Sequence, residues 1–111
     1  SNNIIVLGDF NLLNKYQLNK ETIEYLIKHD KLRNVDTSFK AIDIILNNGF
    51  IDIYNFINKD IPKLTCCFDR RIDYIFVKKD NNLHIEDINC IITNTSDHYP
   101  LMVDIKYKNI Y

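Results

Sequence analysis

The hydrophobic and polar positions at the start of the chain predict one strand followed by a helix. Residues 3–7 are mainly apolar and β-branched, a pattern typical of a strand that is buried on both faces. After a polar loop, a helix is predicted to begin just after Asn19. Its apolar positions Ile23, Leu26 and Ile27 lie on one helical face.

A second helical stripe follows the first. Ser38 is a natural N-cap, and Gly49 is a suitable residue to end the helix just after Asn48. Residues 49–58 have mixed periodicity and predict a short helix or an irregular turn, after which Pro62 interrupts the chain. The apolar stripe of the second helix consists of Ala41, Ile42, Ile45 and Leu46.

The second half of the chain is rich in β-branched and aromatic residues, and it predicts four strands. The third strand is expected to be bulged near Asp87, and residues 78–82 predict a hairpin-type turn before it. The predicted strands cover residues 63–68, 71–78, 83–93 and 100–107. One strand, two helices and a run of strands predict an α+β layered fold, with helices packed on a mostly antiparallel sheet.

Composition limits the class of protein. A chain of 111 residues with 46% hydrophobic residues is predicted to form one domain with a real core. Its net charge of −1 lacks the basic excess that nucleic-acid-binding surfaces usually show. Without a bilayer-spanning run or a secretion signal, we expect an intracellular protein, cytoplasmic or nuclear, with no membrane span. The cysteines have no zinc spacing and predict reduced thiols: Cys66, Cys67 and Cys90.

Several polar side chains stand where the pattern predicts core strands or their ends. Asp9 and Asn11 follow the first strand, Asp73 lies inside an apolar strand, and Asp97 with His98 precedes the last strand. A charge in a core strand is unfavourable unless it is paired or functional. Each group taken alone is also explained by ordinary turn chemistry, but their co-occurrence is not.

Asp73 has two interpretations. In the structural one, its carboxylate pairs with Arg70 or Arg71 at the edge of a strand. In the functional one, it accepts a hydrogen bond from an imidazole, which fixes the tautomer and raises the pKa of the histidine. His98 is the preferred partner because it lies in a loop at a strand end, where sites are usually built. The other histidines are interpreted as surface or core-edge residues: His29 and His84.

Three motifs, in this order, resemble the C-terminal half of the endonuclease/exonuclease/phosphatase superfamily, a DNase I-like group. They are GDFN at residues 8–11, RIDYIFV at 71–77 and SDHYPLMVDI at 96–105. The resemblance implies a four-layer sandwich of two sheets with helices outside. Residues 1–111 would form the C-terminal portion of that domain and supply about one mostly antiparallel sheet with its helices.

The resemblance also implies roles for five residues. Asp9 resembles the acid that orients or deprotonates the attacking water, or protonates the leaving group. Asn11 resembles the amide that hydrogen-bonds the phosphate, and Asp97 an acid that can bind the metal. His98 resembles the imidazole that stabilises the phosphorane, and Asp73 its carboxylate partner. These roles predict Mg²⁺-dependent (or Mn²⁺-dependent) hydrolysis of a phosphodiester, with a nucleic acid as one possible substrate.

The match is incomplete, because the main metal ligands of this superfamily, a Glu and an Asn, lie on strands that precede GDFN. Ser1 stands almost directly before the first strand, which predicts a segment cut from a longer polypeptide, although removal of an initiator Met would leave the same end. We therefore expect the missing N-terminal half of the fold to be a partner, and the chain alone to be catalytically incompetent or nearly so.

The sequence is also compatible with other functions. The substrate classes predicted by the resemblance are those of nucleases and tyrosyl-DNA phosphodiesterases, with inositol phosphates or sphingomyelin as an alternative. A second alternative is a non-catalytic module that keeps the fold for binding, and a third is a plain structural domain.

Overall fold

The protein has an α+β fold, and its described residues form three helices and antiparallel strands. The computed structural model describes residues 3–14, 18–35, 39–57, 65–66 and 70–108. In chain order the elements are β1 (Ile4–Asp9), α1 (Lys20–Leu32), α2 (Lys40–Asn47), β2 (Ile51–Asp52), α3 (Ile53–Ile57), β3 (Asp73–Lys78), β4 (Leu83–Cys90) and β5 (Leu101–Tyr107).

The strands are divided between two antiparallel sheets. The first sheet has the order β1-β3-β2, and the second pairs β4 with β5. A turn is present at residues 81–82, as predicted, but the strands that it joins do not pair as a hairpin: β3 lies between β1 and β2, and β4 pairs with β5. The predicted irregularity near Asp87 is confirmed, since the register of β4 against β5 shifts between Ile85 and Asp87.

Strand β3 is the centre of the core and is buried on both faces. Tyr74 and Phe76 point to one face, where they pack with Ile42 of α2. Ile75 and Val77 point to the other, where they pack with residues of α3 and β4. A strand with a period of two and apolar residues on both faces needs cover on both sides, and the helices and the second sheet provide it.

The first helix begins and ends for local reasons. The side chain of Asn19 accepts a hydrogen bond from the Thr22 backbone N–H at 2.7 Å, which satisfies one of the free donors of the first turn. Leu26 is buried, and Asp30 is buried against an arginine that precedes β3. The helix continues to Leu32, beyond the last of its predicted apolar positions, Ile27.

The second helix is shorter than predicted at its start. Phe39 occupies the N-cap position of α2 and makes no side-chain capping hydrogen bond, while Ser38 lies outside the described residues. Gly49 follows the helix with a φ of +85°, which agrees with its predicted role. Residues with a side chain rarely adopt this backbone conformation, whereas glycine does so readily. The next stretch contains the predicted short helix, α3, preceded by the two-residue strand β2.

Strand β1 differs from its prediction. The apolar run predicts burial on both faces, yet all six residues of β1 are exposed, including Ile4 at 48% and Leu7 at 67%. Among the described residues, β1 is an edge strand that pairs with β3 alone. The sequence pattern shows that this strand suits a buried position, but the described residues do not cover it.

Two further predictions concern segments that are only partly described. Of the predicted strand at 63–68, the structure describes Thr65 and Cys66, and Cys66 forms isolated bridges with Arg70 and His98. Pro62 lies outside the described residues.

None of the helices described in the structure is long and apolar enough to cross a bilayer.

Candidate active site

Two carboxylates face each other across the first sheet. Asp9 ends β1 and Asp73 begins β3, and the register places them directly opposite each other. Like charges in that position destabilise a strand pair unless a positive group lies near them. The imidazole of His98 lies near both: its Nδ1 is 2.9 Å from Asp73 Oδ2, and its Nε2 is 3.8 Å from Asp9 Oδ2.

The contact predicted between Asp73 and His98 is present. Both carboxylate oxygens of Asp73 lie within hydrogen-bond distance of Nδ1, at 3.1 and 2.9 Å. A carboxylate accepts hydrogen bonds, so Nδ1 carries the proton and Nε2 is directed to the outer side of the pair. The His98 side chain is 34% exposed and therefore accessible to a ligand.

The arginines that precede β3 bind other acids, so the alternative interpretation of Asp73 is wrong. Arg70 contacts Asp30 of α1 at 2.6 Å. Arg71 forms two hydrogen bonds with Asp52 of β2, at 2.8 and 2.5 Å. Both arginines therefore hold neighbouring elements against the start of β3.

The surroundings of His98 raise the pKa of its imidazole above the usual value. The hydrogen bond to Asp73 is the largest cause; partial desolvation opposes it, and the nearby charges of Asp73, Asp9 and Asp97 add to the increase. All three charges are negative and therefore favour the protonated form. The site thus favours an imidazolium that is held between acids.

Thr65 positions both members of the Asp73–His98 pair, and sequence reasoning missed it. Its buried hydroxyl accepts hydrogen bonds from the backbone N–H groups of Ile72 and Asp73, at 2.9 and 3.1 Å. Its carbonyl accepts the N–H of Tyr99, next to His98, at 2.8 Å. No sequence pattern singles out Thr65, because its role depends on segments that are distant along the chain.

Asn11 lies at the start of the loop after β1. Its backbone N–H donates to Asp9 Oδ1 at 2.9 Å, which fixes the orientation of that carboxylate. Its φ of +50° belongs to the left-handed region, where asparagine is among the few residues tolerated. The side chain is exposed and lines a cavity beside the carboxylate–imidazole group.

Asp97 is exposed next to His98 but is not part of the closest group. The hydroxyl of Ser96 lies 3.4 Å from Asp97 Oδ1 and accepts the His98 backbone N–H at 3.1 Å. In the described part of the chain, the acids and histidine whose ligand atoms lie within 4.8 Å of one another are Asp9, Asp73 and His98. The predicted role of Asp97 as a metal ligand stays a prediction.

The chemistry of this group limits how a metal ion would bind. Both oxygens of Asp73 face the protonated Nδ1 of His98, and an imidazolium is not a metal ligand. The carboxylates that remain accessible to a cation are those of Asp9 and Asp97, both exposed. Mg²⁺ prefers oxygen ligands, so these residues fit part of a magnesium site.

The two other histidines occupy exposed positions, in agreement with their interpretation as surface residues. His84 lies on β4, and His29 stacks on the ring of Tyr25 in α1, with ring centroids 5.8 Å apart.

Comparisons of the chain with protein-family models, with curated proteins and with solved structures found no match.

Proposed function

We propose that this chain carries part of the active site of a metal-dependent phosphoesterase that hydrolyses phosphodiesters. The observation that supports the proposal best is the position of the His98 imidazole, with Asp73 behind it and Asp9 in front of it. The motifs that contain these residues are those in which the chain resembles the endonuclease/exonuclease/phosphatase superfamily. We favour a nuclease or a tyrosyl-DNA phosphodiesterase-like activity over the hydrolysis of inositol phosphates or sphingomyelin.

His98 stabilises the charge that develops on the phosphate during the reaction. Its Nδ1 is held by Asp73, so Nε2 is the nitrogen that donates a proton in a hydrogen bond to a non-bridging oxygen. The raised pKa of the imidazole favours the charged form that this role needs. Asp73 acts through His98, because it fixes the orientation of the ring.

Asp9 is the proposed base for the attacking water. Its Oδ1 accepts a hydrogen bond from the Asn11 N–H. Its Oδ2 lies 3.8 Å from His98 Nε2, which is too long for a hydrogen bond, so both groups can contact the same ligand. The water oxygen forms the new bond to phosphorus, and its proton passes to Asp9. The bond from phosphorus to the leaving oxygen breaks, and that oxygen takes a proton from solvent. Asn11 donates a hydrogen bond to the phosphate.

Mg²⁺ or Mn²⁺ is the proposed cofactor, and when bound it supplies positive charge to the phosphate oxygens. Mg²⁺ often takes only one or two protein carboxylates and keeps several waters. Asp97 is the proposed ligand from this chain, since it is exposed beside His98. The main ligands, a Glu and an Asn, are expected from the N-terminal half of the same fold.

That N-terminal half is also the proposed partner of strand β1. The apolar side chains of β1 are exposed, with Leu7 at 67% and Ile4 at 48%, and one edge of the strand has no β partner among the described residues. Apolar surface of this kind marks interaction sites. A preceding segment of the fold that covers β1 would bury it and bring the missing metal ligands to Asp9.

The test is hydrolysis of bis-para-nitrophenyl phosphate, with Mg²⁺, by a protein in which this chain is joined to the proposed N-terminal half, called the full-length protein below. We expect His98→Ala to lower kcat by about 10²- to 10³-fold, the range typical of losing one preorganised donor to the charge that develops in the transition state. Asp97→Ala should raise the Mg²⁺ concentration needed for half-maximal rate. His84→Ala, a change of the same residue type in the other sheet, serves as the control and should keep full activity.

Thermal unfolding followed by circular dichroism shows whether each variant is folded. A folded His98→Ala protein with the activity of the unsubstituted protein would exclude the proposed role of His98. A folded, unsubstituted protein with no hydrolysis above background would exclude the enzyme, and the non-catalytic binding module would then be the better interpretation. Residues 1–111 assayed alone should turn over orders of magnitude more slowly than the full-length protein. Equal rates would show that the chain needs no ligands from an N-terminal half.

A further inference from the structure

A cavity of about 660 Å³ lies beside the proposed active site, between α1 and the residues that precede β3. Asn11 and Cys66 line this cavity. Cys66 also pairs with His98 through a backbone bridge, and Asn11 hydrogen-bonds Asp9. The cavity therefore adjoins the site through Asn11 and Cys66, and this is the direction in which a substrate bound at His98 would extend.

One face of α1 gives the cavity an aromatic wall. Tyr25, His29 and the C-cap residue Arg33 follow each other at intervals of four, so they lie on the same side of the helix, and all three line the cavity. Tyr25 is 65% exposed, and its ring stacks on His29 with an interplanar angle of 25°. An exposed ring supported by a second ring is a preordered surface on which a planar group can stack.

The charge of the cavity has one sign. Three basic side chains line the cavity: His29, Arg33 and Arg70. Among the described residues, no acidic side chain lines it. Arg70 is neutralised by Asp30 at 2.6 Å, whereas Arg33 has no carboxylate partner in the described part of the chain. The chain as a whole carries a net charge of −1, so this concentration of basic groups is local.

We propose that the cavity binds a nucleotide next to the cleaved phosphodiester, with its base stacked on Tyr25 and a flanking phosphate beside Arg33. The inference rests on the proposed function, since it names single-stranded nucleic acid as the substrate whose phosphate reaches His98. An inositol headgroup carries phosphates but no aromatic ring, and sphingomyelin likewise offers no planar base. The combination of an aromatic wall with a cationic group therefore favours nucleic acid over both.

Binding measured without metal separates this inference from turnover. The probes are the trinucleotide pTpTpT and inositol trisphosphate, titrated into the full-length protein in a calorimeter. We expect Tyr25→Leu to weaken the binding of pTpTpT about tenfold, because base–aromatic stacking is lost. Tyr25→Phe keeps the ring and should keep the affinity. Inositol trisphosphate should bind Tyr25→Leu as it binds the unsubstituted protein.

The cationic part of the proposal has its own variant and control. Arg33→Ala should weaken pTpTpT and reduce the slope of log affinity against log salt concentration by about 0.7, the value for one phosphate contact on a single strand. Lys31→Ala removes the same charge from an exposed position on the opposite face of α1. It should leave the slope unchanged.

The inference is overturned if pTpTpT does not bind, if Tyr25→Leu leaves its affinity unchanged, or if Lys31→Ala lowers the salt slope as much as Arg33→Ala. These outcomes are independent of the hydrolysis assay. Binding of pTpTpT that depends on Tyr25 in a protein without phosphodiesterase activity would support the nucleotide site and overturn the proposed function alone.

Discussion

At the scale of single residues, the candidate site depends on Asp73, a carboxylate at the start of an otherwise apolar strand. The sequence identifies this residue as unusual because an unpaired charge in a core strand costs free energy. The structure gives it a partner, His98, and sets both opposite Asp9. Thr65, which holds the two segments together, has no comparable sequence signal, because a buried threonine in a strand is ordinary.

The pKa of His98 provides the prediction at this scale. In nuclear magnetic resonance titrations without metal, we expect an imidazole pKa above about 6.5. Asp73→Asn should lower it more than Asp97→Asn, because the Asp73 hydrogen bond is the largest cause of the shift and Asp97 the smallest. Since the folded-state pKa is raised, protonated His98 stabilises the fold below pH of about 6.5, and this contribution is lost as the pH rises through the folded-state value. A larger effect of Asp97→Asn would contradict the geometry.

At the scale of elements, a buried ion pair joins β2 to the start of β3. Arg71 is 6% exposed and Asp52 is 2% exposed, and two hydrogen bonds connect them. The guanidinium also lies over the rings of Tyr54 and Tyr74, at 5.0 and 4.5 Å from their centroids. The pair therefore fixes the approach to β3, on which the position of Asp73 depends.

Removal of one member of this pair should destabilise the protein strongly. We expect Arg71→Leu to lower the free energy of unfolding by about 3–5 kcal/mol, because the buried Asp52 carboxylate loses its cation. The double variant Asp52→Leu/Arg71→Leu should recover much of this loss, since it leaves no buried charge at that position. Urea denaturation of the two single variants and the double variant measures the effect. A double variant that loses the sum of the two single losses would show that the pair is not coupled.

The sequence predicts the elements better than it predicts their arrangement. The α1 start at Asn19, the positive φ at Gly49 and the irregular β4 near Asp87 depend on local chemistry, and the structure confirms all three. The hairpin at residues 78–82 and the burial of β1 depend on which strand lies next to which. A pattern of apolar residues shows that a face needs cover, but it does not say which segment provides the cover.

At the scale of the whole molecule, the chain is more extended than a compact domain of its size. Its radius of gyration is 15.3 Å, against about 13 Å expected for a compact chain of this length. The apolar residues of β1 are also exposed, and they form a surface that a complete core would bury. The exposed apolar surface supports the proposal that a further segment of the fold packs against β1.

Exposed apolar edge strands pair with other chains when their natural cover is absent, and this gives the prediction for the whole molecule. We expect residues 1–111, prepared alone, to self-associate in sedimentation velocity experiments. Leu7→Lys should reduce this association, because it places a charge in the middle of the exposed strand β1. Leu32→Lys is the matched control: Leu32 is 78% exposed at the end of α1, outside the sheet, so this change should leave the association unchanged. A chain that remains monomeric at tens of micromolar would show that β1 needs no cover, and the proposed N-terminal partner would lose its main structural support.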